Sequence, residues 1–367
     1  MHLRIWWTGF WLLFIASLGL AACQATISTS TATPFNPAAA GAITISVTRA
    51  PTEVIAARAA SLPGKFVYAR PQGNLVIQDA RGANVRNLVP TNGDTLAQFP
   101  SFSPDGKQVA YAFNYFNQQG LIVQDIRVVD ADGTNVRAII TPDNPKTTFD
   151  LPVWTPDGKS ILFTQAYSTG PASEHSEIDR VAVTGGAPTK ILDDGRIAAI
   201  SPDGAKIALR RLDLKTFGSS LWVANGDGSE AKQLVGIDAF VDISAARFTP
   251  DSQGIVFAGS GEPKKKLPGL ASLAPHADDC YFALLFFCAV ERADAHGLPS
   301  DLYQVDLATT KFERLTRAGA DSPFPAWSPD GRYLGFLSEI GIFAVDRQTK
   351  ELFQVTSQGG YGGFDWK

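Results

Sequence analysis

A short string recurs five times in this chain: Ser or Thr, then Pro-Asp, then Gly or a polar residue. It reads FSPDGK from Phe102, WTPDGK from Trp154, ISPDGA from Ile200, FTPDSQ from Phe248 and WSPDGR from Trp327. Its aspartates, Asp105, Asp157, Asp203, Asp251 and Asp330, are spaced 52, 46, 48 and 79 residues apart. Self-similarity at about 40–50 residues is the period of a four-stranded propeller blade. The last spacing is one blade plus an insertion. A single unit of this size cannot bury its apolar face alone, so the units must stack on one another.

Each copy is a turn with a mechanism. Pro suits the first central position of a type I turn, and Gly takes the left-handed position after it. Alternating runs follow, such as KQVAYAF from Lys107, KSILFTQ from Lys159 and RYLGFLS from Arg332. Alternation marks strands. A second turn closes every unit, beginning at Asp79, Asp130, Thr184, Asn225, Asp306 and Asp346. Six second turns stand against five first turns. The unit at residues 65–90 has no first strand of its own, while the tail GYGGFDWK carries Phe364 and Trp366 where other copies carry FPAWS or LPVWT. The expectation is an all-β, six-bladed propeller of four-stranded antiparallel blades. Its ring is closed by the C-terminal strand joining the N-terminal blade, which also hides an edge.

These repeats resemble the PD40 repeats (WD40-like) of the TolB-like propeller family, over residues 65–367. TolB-like proteins carry an α/β domain ahead of the propeller, and the residues between the tether and Lys65 are too few for one. The same propeller type gates prolyl-peptidase enzymes, which append an α/β-hydrolase domain; no residues remain for that here either.

The first residues read as an address. Arg4 precedes an apolar stretch from Ile5 to Leu20, and Leu20-Ala21-Ala22-Cys23 resembles the bacterial lipoprotein signal. The resemblance implies cleavage after residue 22, lipidation of Cys23, and an extracytoplasmic protein anchored to a membrane, on the periplasmic side or the cell surface. More than one acyl chain is needed for stable attachment. The alternative is an uncleaved anchor, since 18 apolar residues just span a bilayer. Residues 23–63 follow as a Thr/Ser/Pro/Ala-rich tether with little to bury, and residues 64–367 form the propeller.

In such a blade the first-to-second and third-to-fourth strand turns share one face, here called the turn face. The second-to-third strand loops and the crossovers between blades share the other, the loop face. The turns are short and uniform, which suits Asp105, Asp157, Asp203, Asp251 and Asp330 as structural residues. The loops vary, and varied loops on a rigid scaffold commonly carry function. Recognition is therefore expected on the loop face, with Asp150, Asp242 and Asp321 beside Arg196 at the channel mouth. The 260–300 insertion in blade five adds Lys264, Lys265, Lys266, Tyr281 and Phe282 as candidates. It reads as a loop folded on the rim, a partner-docking element or a membrane-touching one.

Cys280 and Cys288 are the cysteines other than Cys23. In an oxidising compartment pairing is the default. One continuous helix would hold them about 12 Å apart, beyond disulfide reach, so a bridge requires a bend. Two free thiols are the alternative. No serine-hydrolase elbow or HExxH string occurs, and no standard metal spacing, so neither metal nor cofactor is expected. A net charge of −4 gives no basic field for nucleic acid. The expectation is a membrane-anchored, non-catalytic platform for protein, peptide or glycan. The alternative is a lyase, cyclase or hydrolase using the mouth carboxylates.

Overall fold

The computed structural model describes residues 59–144, 146–168, 174–214, 216, 218–261, 299–321 and 323–367, all within the unit Ile43–Lys367. Blade 1 holds β1 (Lys65–Ala69), β2 (Leu75–Asp79) and β3 (Arg86–Val89). Blade 2 holds β4 (Leu96–Phe102), β5 (Gln108–Phe116), β6 (Ile122–Asp130) and β7 (Arg137–Ile140). Blade 3 holds β8 (Thr147–Trp154), β9 (Ser160–Ser168), β10 (Glu174–Ala182) and β11 (Thr189–Asp193). Blade 4 holds β12 (Arg196–Ile200), β13 (Lys206–Asp213), β14 (Gly218–Asn225) and β15 (Lys232–Val235). Blade 5 holds β16 (Asp242–Phe248), β17 (Gly254–Ser260), β18 (Pro299–Asp306) and β19 (Phe312–Arg314), with β20 (Ala320–Asp321) added beside β18. Blade 6 holds β21 (Phe324–Trp327), β22 (Tyr333–Ser338), β23 (Gly341–Asp346) and β24 (Leu352–Thr356). The last strand, β25 (Phe364–Trp366), pairs antiparallel with β1 and completes blade 1.

The protein is an all-β, six-bladed propeller of antiparallel blades, and its ring is closed. The first strands touch in a cycle: β4 with β8, β8 with β12, β12 with β16, β16 with β21, β21 with β25, and β25 with β4. They surround the central channel. Between every two neighbouring blades lies one apolar cluster, for example Phe66, Tyr68, Leu337, Ile342 and Phe364 between blades 1 and 6. Alternation in each strand supplies both neighbours, so strands such as β22 and β23 are buried along their whole length.

The closure is aromatic. Trp366 meets Phe66 edge-on at 4.8 Å between ring centroids, stacks near Tyr333 at 6.4 Å, and donates its indole N–H to the Pro63 carbonyl at 2.7 Å. A Cβ on Gly335 would come within 2.9 Å of the Trp366 ring, which explains a glycine inside β22. The backbones of Lys65 and Lys367 exchange two hydrogen bonds where the other blades have a turn.

Those turns share one hydrogen-bond scheme. The Ser103 hydroxyl donates to Asp105 at 2.6 Å and accepts the Gln108 N–H at 2.9 Å, while Asp105 accepts the Lys107 N–H at 3.0 Å. Thr155–Asp157, Ser201–Asp203, Thr249–Asp251 and Ser328–Asp330 repeat the hydroxyl-to-carboxylate bond at 2.5–2.6 Å. This bond holds the carboxyls of Asp105, Asp157, Asp203 and Asp251 below the usual range. In blade 5 Ser252 takes the glycine position, with a left-handed φ of 59°.

Two loops differ from expectation. Residues 114–116 with 122–125, and 166–168 with 174–177, are strand, because β5–β6 and β9–β10 continue as paired hairpins. The variable length lies in hairpin height above the blade, and in blade 2 a turn at residues 117–120 caps it.

Candidate functional site

The inner strands are kinked where they reach the mouth on the loop face. Register shifts fall between Gln98 and Ser101, Asp150 and Val153, and Ser244 and Arg247. At these bulges Phe99, Leu151 and Ala245 adopt positive φ of 52°, 53° and 40°. Each sits six residues before its turn aspartate. A left-handed non-glycine residue costs about 1–2 kcal/mol, so the same strain recurs in three blades at one level. Phe99 and Phe324, from the blades flanking blade 1, bring their rings to 6.1 Å across its inner strand.

The bulge in β8 leaves Asp150 within the strand rather than ahead of it, and buries it against Arg196 at the start of β12. The pair bridges blades 3 and 4. A second bond parallels it, from the Ile197 N–H to the Thr164 hydroxyl at 3.0 Å. Arg210, opposite Arg196 in the sheet, adds positive charge near Asp150. It continues the chain to blade 5, lying 3.6 Å from the Asp242 carboxylate and donating to the Ile243 carbonyl at 3.2 Å. Ser219 donates its hydroxyl to the same carboxylate. Burial pushes the Asp150 carboxyl up, and the two arginines oppose that. One Asp150 oxygen, Oδ1, has no hydrogen-bond partner.

Three of the four mouth residues expected from the sequence are thus joined by Arg210, which the sequence reading missed. Its signal was indirect: it follows from the register of β12 with β13. The fourth, Asp321, belongs elsewhere. It lies in β20, its N–H donates to Glu339 at 3.2 Å, and burial, helped by both acids, raises the Tyr361 phenol. Beside them Ala318, Ala320, Phe336, Ser338, Ile340 and Phe343 line a small cavity. A further pair was also unforeseen. Asp365 of β25 is held between burial, which raises its carboxyl, and Arg247 of β16, which lowers it, and it accepts the Phe102 N–H at 2.7 Å.

This arrangement can fix the blades and set a field at the mouth. Asp242 is its more accessible carboxylate, since Asp150 and Arg196 are both buried. Among the described residues no group of three or more His, Cys, Asp or Glu could hold a metal ion. No helix among them is long and apolar enough to cross a membrane. Cys23, Lys264, Lys265, Lys266, Cys280, Tyr281, Phe282 and Cys288 lie outside the described residues.

Comparison with known proteins supports the architecture. The family model for the dipeptidyl peptidase IV (DPP IV) N-terminal region matches residues 282–366. No curated protein matches the chain. Among solved structures, TolB from Acinetobacter baumannii is similar with a TM-score of 0.57 and 16% identity, covering 83% of this chain and 68% of that one. A putative TolB from Agrobacterium tumefaciens gives 0.52 and 15%, covering 82% and 90%. A chain of a nidogen/laminin complex gives 0.56 and 11%, covering 83% and 98%. The fold is that of the TolB-like propellers.

Proposed function

We propose that this protein is exported, anchored through a lipidated Cys23, and presents its propeller as a non-catalytic binding platform for protein, peptide or glycan at the cell envelope. The observation that carries this reading is the division of labour between the two faces. Pro63 and Lys65 enter beside Lys367 at the level of the turns. The chain therefore enters the propeller on the turn face, opposite the loop face. Of the large apolar residues exposed among those described, Leu96, Phe116, Leu121, Ile122, Leu214 and Ile340 belong to the loop face. Val85, Val136 and Phe312 belong to the turn face. Apolar groups held out on loops are what an interface uses. The propeller of the nidogen/laminin complex, similar in fold, comes from a protein solved with a partner.

The mouth favours positioning over catalysis. A general acid or base must reach its substrate, and Asp150 is buried against Arg196. The enzyme reading would fall to Asp242 and Asp321. Replacing each by Asn, with folding intact, leaves binding unaffected on the platform reading and abolishes turnover on the enzyme reading. The platform is tested by crosslinking in native membranes with and without residues 262–298. Partner capture lost on deletion, with an unchanged melting curve, is the expected result; unchanged capture removes the insertion from the site. Cys23→Ser is expected to release the protein or block its processing, and unchanged retention and size would refute the anchor.

A further inference from the structure

Blades 2 and 3 raise tall hairpins side by side on the loop face. Their facing walls follow from alternation. In blade 2, Ala112 and Ile126 enter the core shared with blade 3. Two residues higher on the same face Asn114 pairs with Gln124, and above them Phe116 pairs with Ile122. In blade 3, Phe163 enters that same core. It lies opposite Asp179, with Gln165 opposite Glu177 and Tyr167 opposite His175 above. The two walls therefore confront each other over one apolar floor.

The rim is apolar and aromatic. Phe116 is 54% exposed and Ile122 42% exposed. Across from them the Tyr167 and His175 rings stack at 5.5 Å. Beneath the rim the walls turn polar and one-sided. Asn114 Oδ1 and Gln124 Oε1 on one wall, and Asp179 Oδ1 on the other, have no hydrogen-bond partner. Yet their residues are only 7%, 2% and 4% exposed. All three atoms are acceptors. Glu177, between them, accepts from Gln165 at 2.7 Å and pairs with Lys190 at 2.5 Å. An ammonium group thus already sits at the outer end. Glu177, Asp179 and Asp193 outnumber Lys190, so the cleft is negative.

We propose that this cleft binds a polypeptide segment that presents a Lys or Arg side chain beside an apolar residue. The apolar residue packs against Phe116, Ile122 and the Tyr167–His175 stack. The cation points down to Glu177, Asp179 and the unpaired, buried carboxamide oxygens of Asn114 and Gln124. A buried acceptor left unmade is costly, and a ligand that brings only donors removes that cost. A neutral glycan fits less well, because it brings as many acceptors as donors and the unpaired wall atoms offer it no donor. This inference rests on the platform reading and names its ligand class.

The test uses the full chain and fluorescence anisotropy. The probes are labelled hexapeptides of alternating Leu-Lys, Leu-Glu and Ser-Lys, and labelled chitohexaose. The Leu-Lys peptide is expected to bind, and the other three at least tenfold more weakly. Phe116→Ser with Ile122→Ser, at exposed positions, is expected to weaken Leu-Lys binding at least tenfold. Glu177→Gln, which keeps shape, is expected to weaken it about tenfold and to flatten its salt dependence. Val85→Ser, at an exposed position on the turn face, should bind like the parent. Equal binding of Leu-Lys and Leu-Glu, binding unmoved by both cleft variants, or preference for chitohexaose overturns the proposal. Partner capture that persists in the cleft variants, while the peptide test fails, leaves the platform standing and removes only the cleft.

Discussion

The turn face and the loop face handle polar groups in opposite ways. On the turn face each repeat spends its hydroxyl and its carboxylate on one another and on two backbone N–H groups. Those carboxyls are stabilised as anions. Towards the loop face, blades 2 and 3 bury Asn114, Gln124, Asp150 and Asp179 with an oxygen unpaired in each. Buried polar groups are normally satisfied, so each exception calls for an explanation. The recurring Ser/Thr–Asp turn satisfies itself and serves folding, although Gln78 Nε2 and Trp327 Nε1 beside two turns stay unpaired. A face that keeps buried acceptors unpaired stands ready for something else.

Substitutions on the two faces should separate their roles. The largest effect is expected at the closure, which belongs to the folding side. Trp366→Ala removes a buried indole and its bond to Pro63, and should cost about 3–5 kcal/mol in urea unfolding. A loss under about 1 kcal/mol would mean that the ring holds without its latch. Next comes the mouth. Asp150→Ala takes the buried carboxylate partner from Arg196 and should cost about 3 kcal/mol, whereas replacing both by Leu and Met should recover most of it. Failure to recover would show that the charges themselves, rather than their mutual pairing, fix blades 3 and 4.

Smaller effects of opposite sign are expected from the carboxylates of the two faces. Desolvation, helped by Glu177, raises the Asp179 carboxyl to about 6. Its folded value lies above its unfolded one, so its charge opposes folding, increasingly as pH rises from about 4 to 6 and constantly above that. Asp179→Asn should raise stability at pH 7 by about 1–2 kcal/mol and remove that slope. A parent protein whose unfolding midpoint is flat from pH 4 to 6 would contradict this. The turn aspartates act in the reverse sense. Their folded values are lowered, so their contribution is full above about pH 4 and is lost as pH falls through the folded values. Thr249→Val, which deletes the hydroxyl from a buried turn, should cost about 1 kcal/mol by thermal melting. It should also return the Asp251 carboxyl towards its ordinary value, read by NMR titration.

The loops show where sequence reasoning stopped. Variable spacing between strands was legible, but it was read as loop length. Tyr115 and Phe116, with Ile122 and Val123, instead continue the ladder. Alternation is weak at a hairpin tip, where neither face is buried, so the pattern does not separate strand from loop there. The site behaved similarly. Asp150, Arg196 and Asp242 stood out as charges near inner strands, yet nothing local to them pointed to Arg210 or to the displacement of Asp321 into β20.

The amino-acid sequence by itself determined the blade count, the strand order within blades and the tail's role as the last inner strand. These follow from period-two alternation and from turns whose chemistry is complete within six residues. Tertiary structure alone decided which charges meet, which wall faces which, and which acceptors stay open. Those relations join residues of different blades, and their distances are set by how the sheets stack around the channel, which no local pattern encodes.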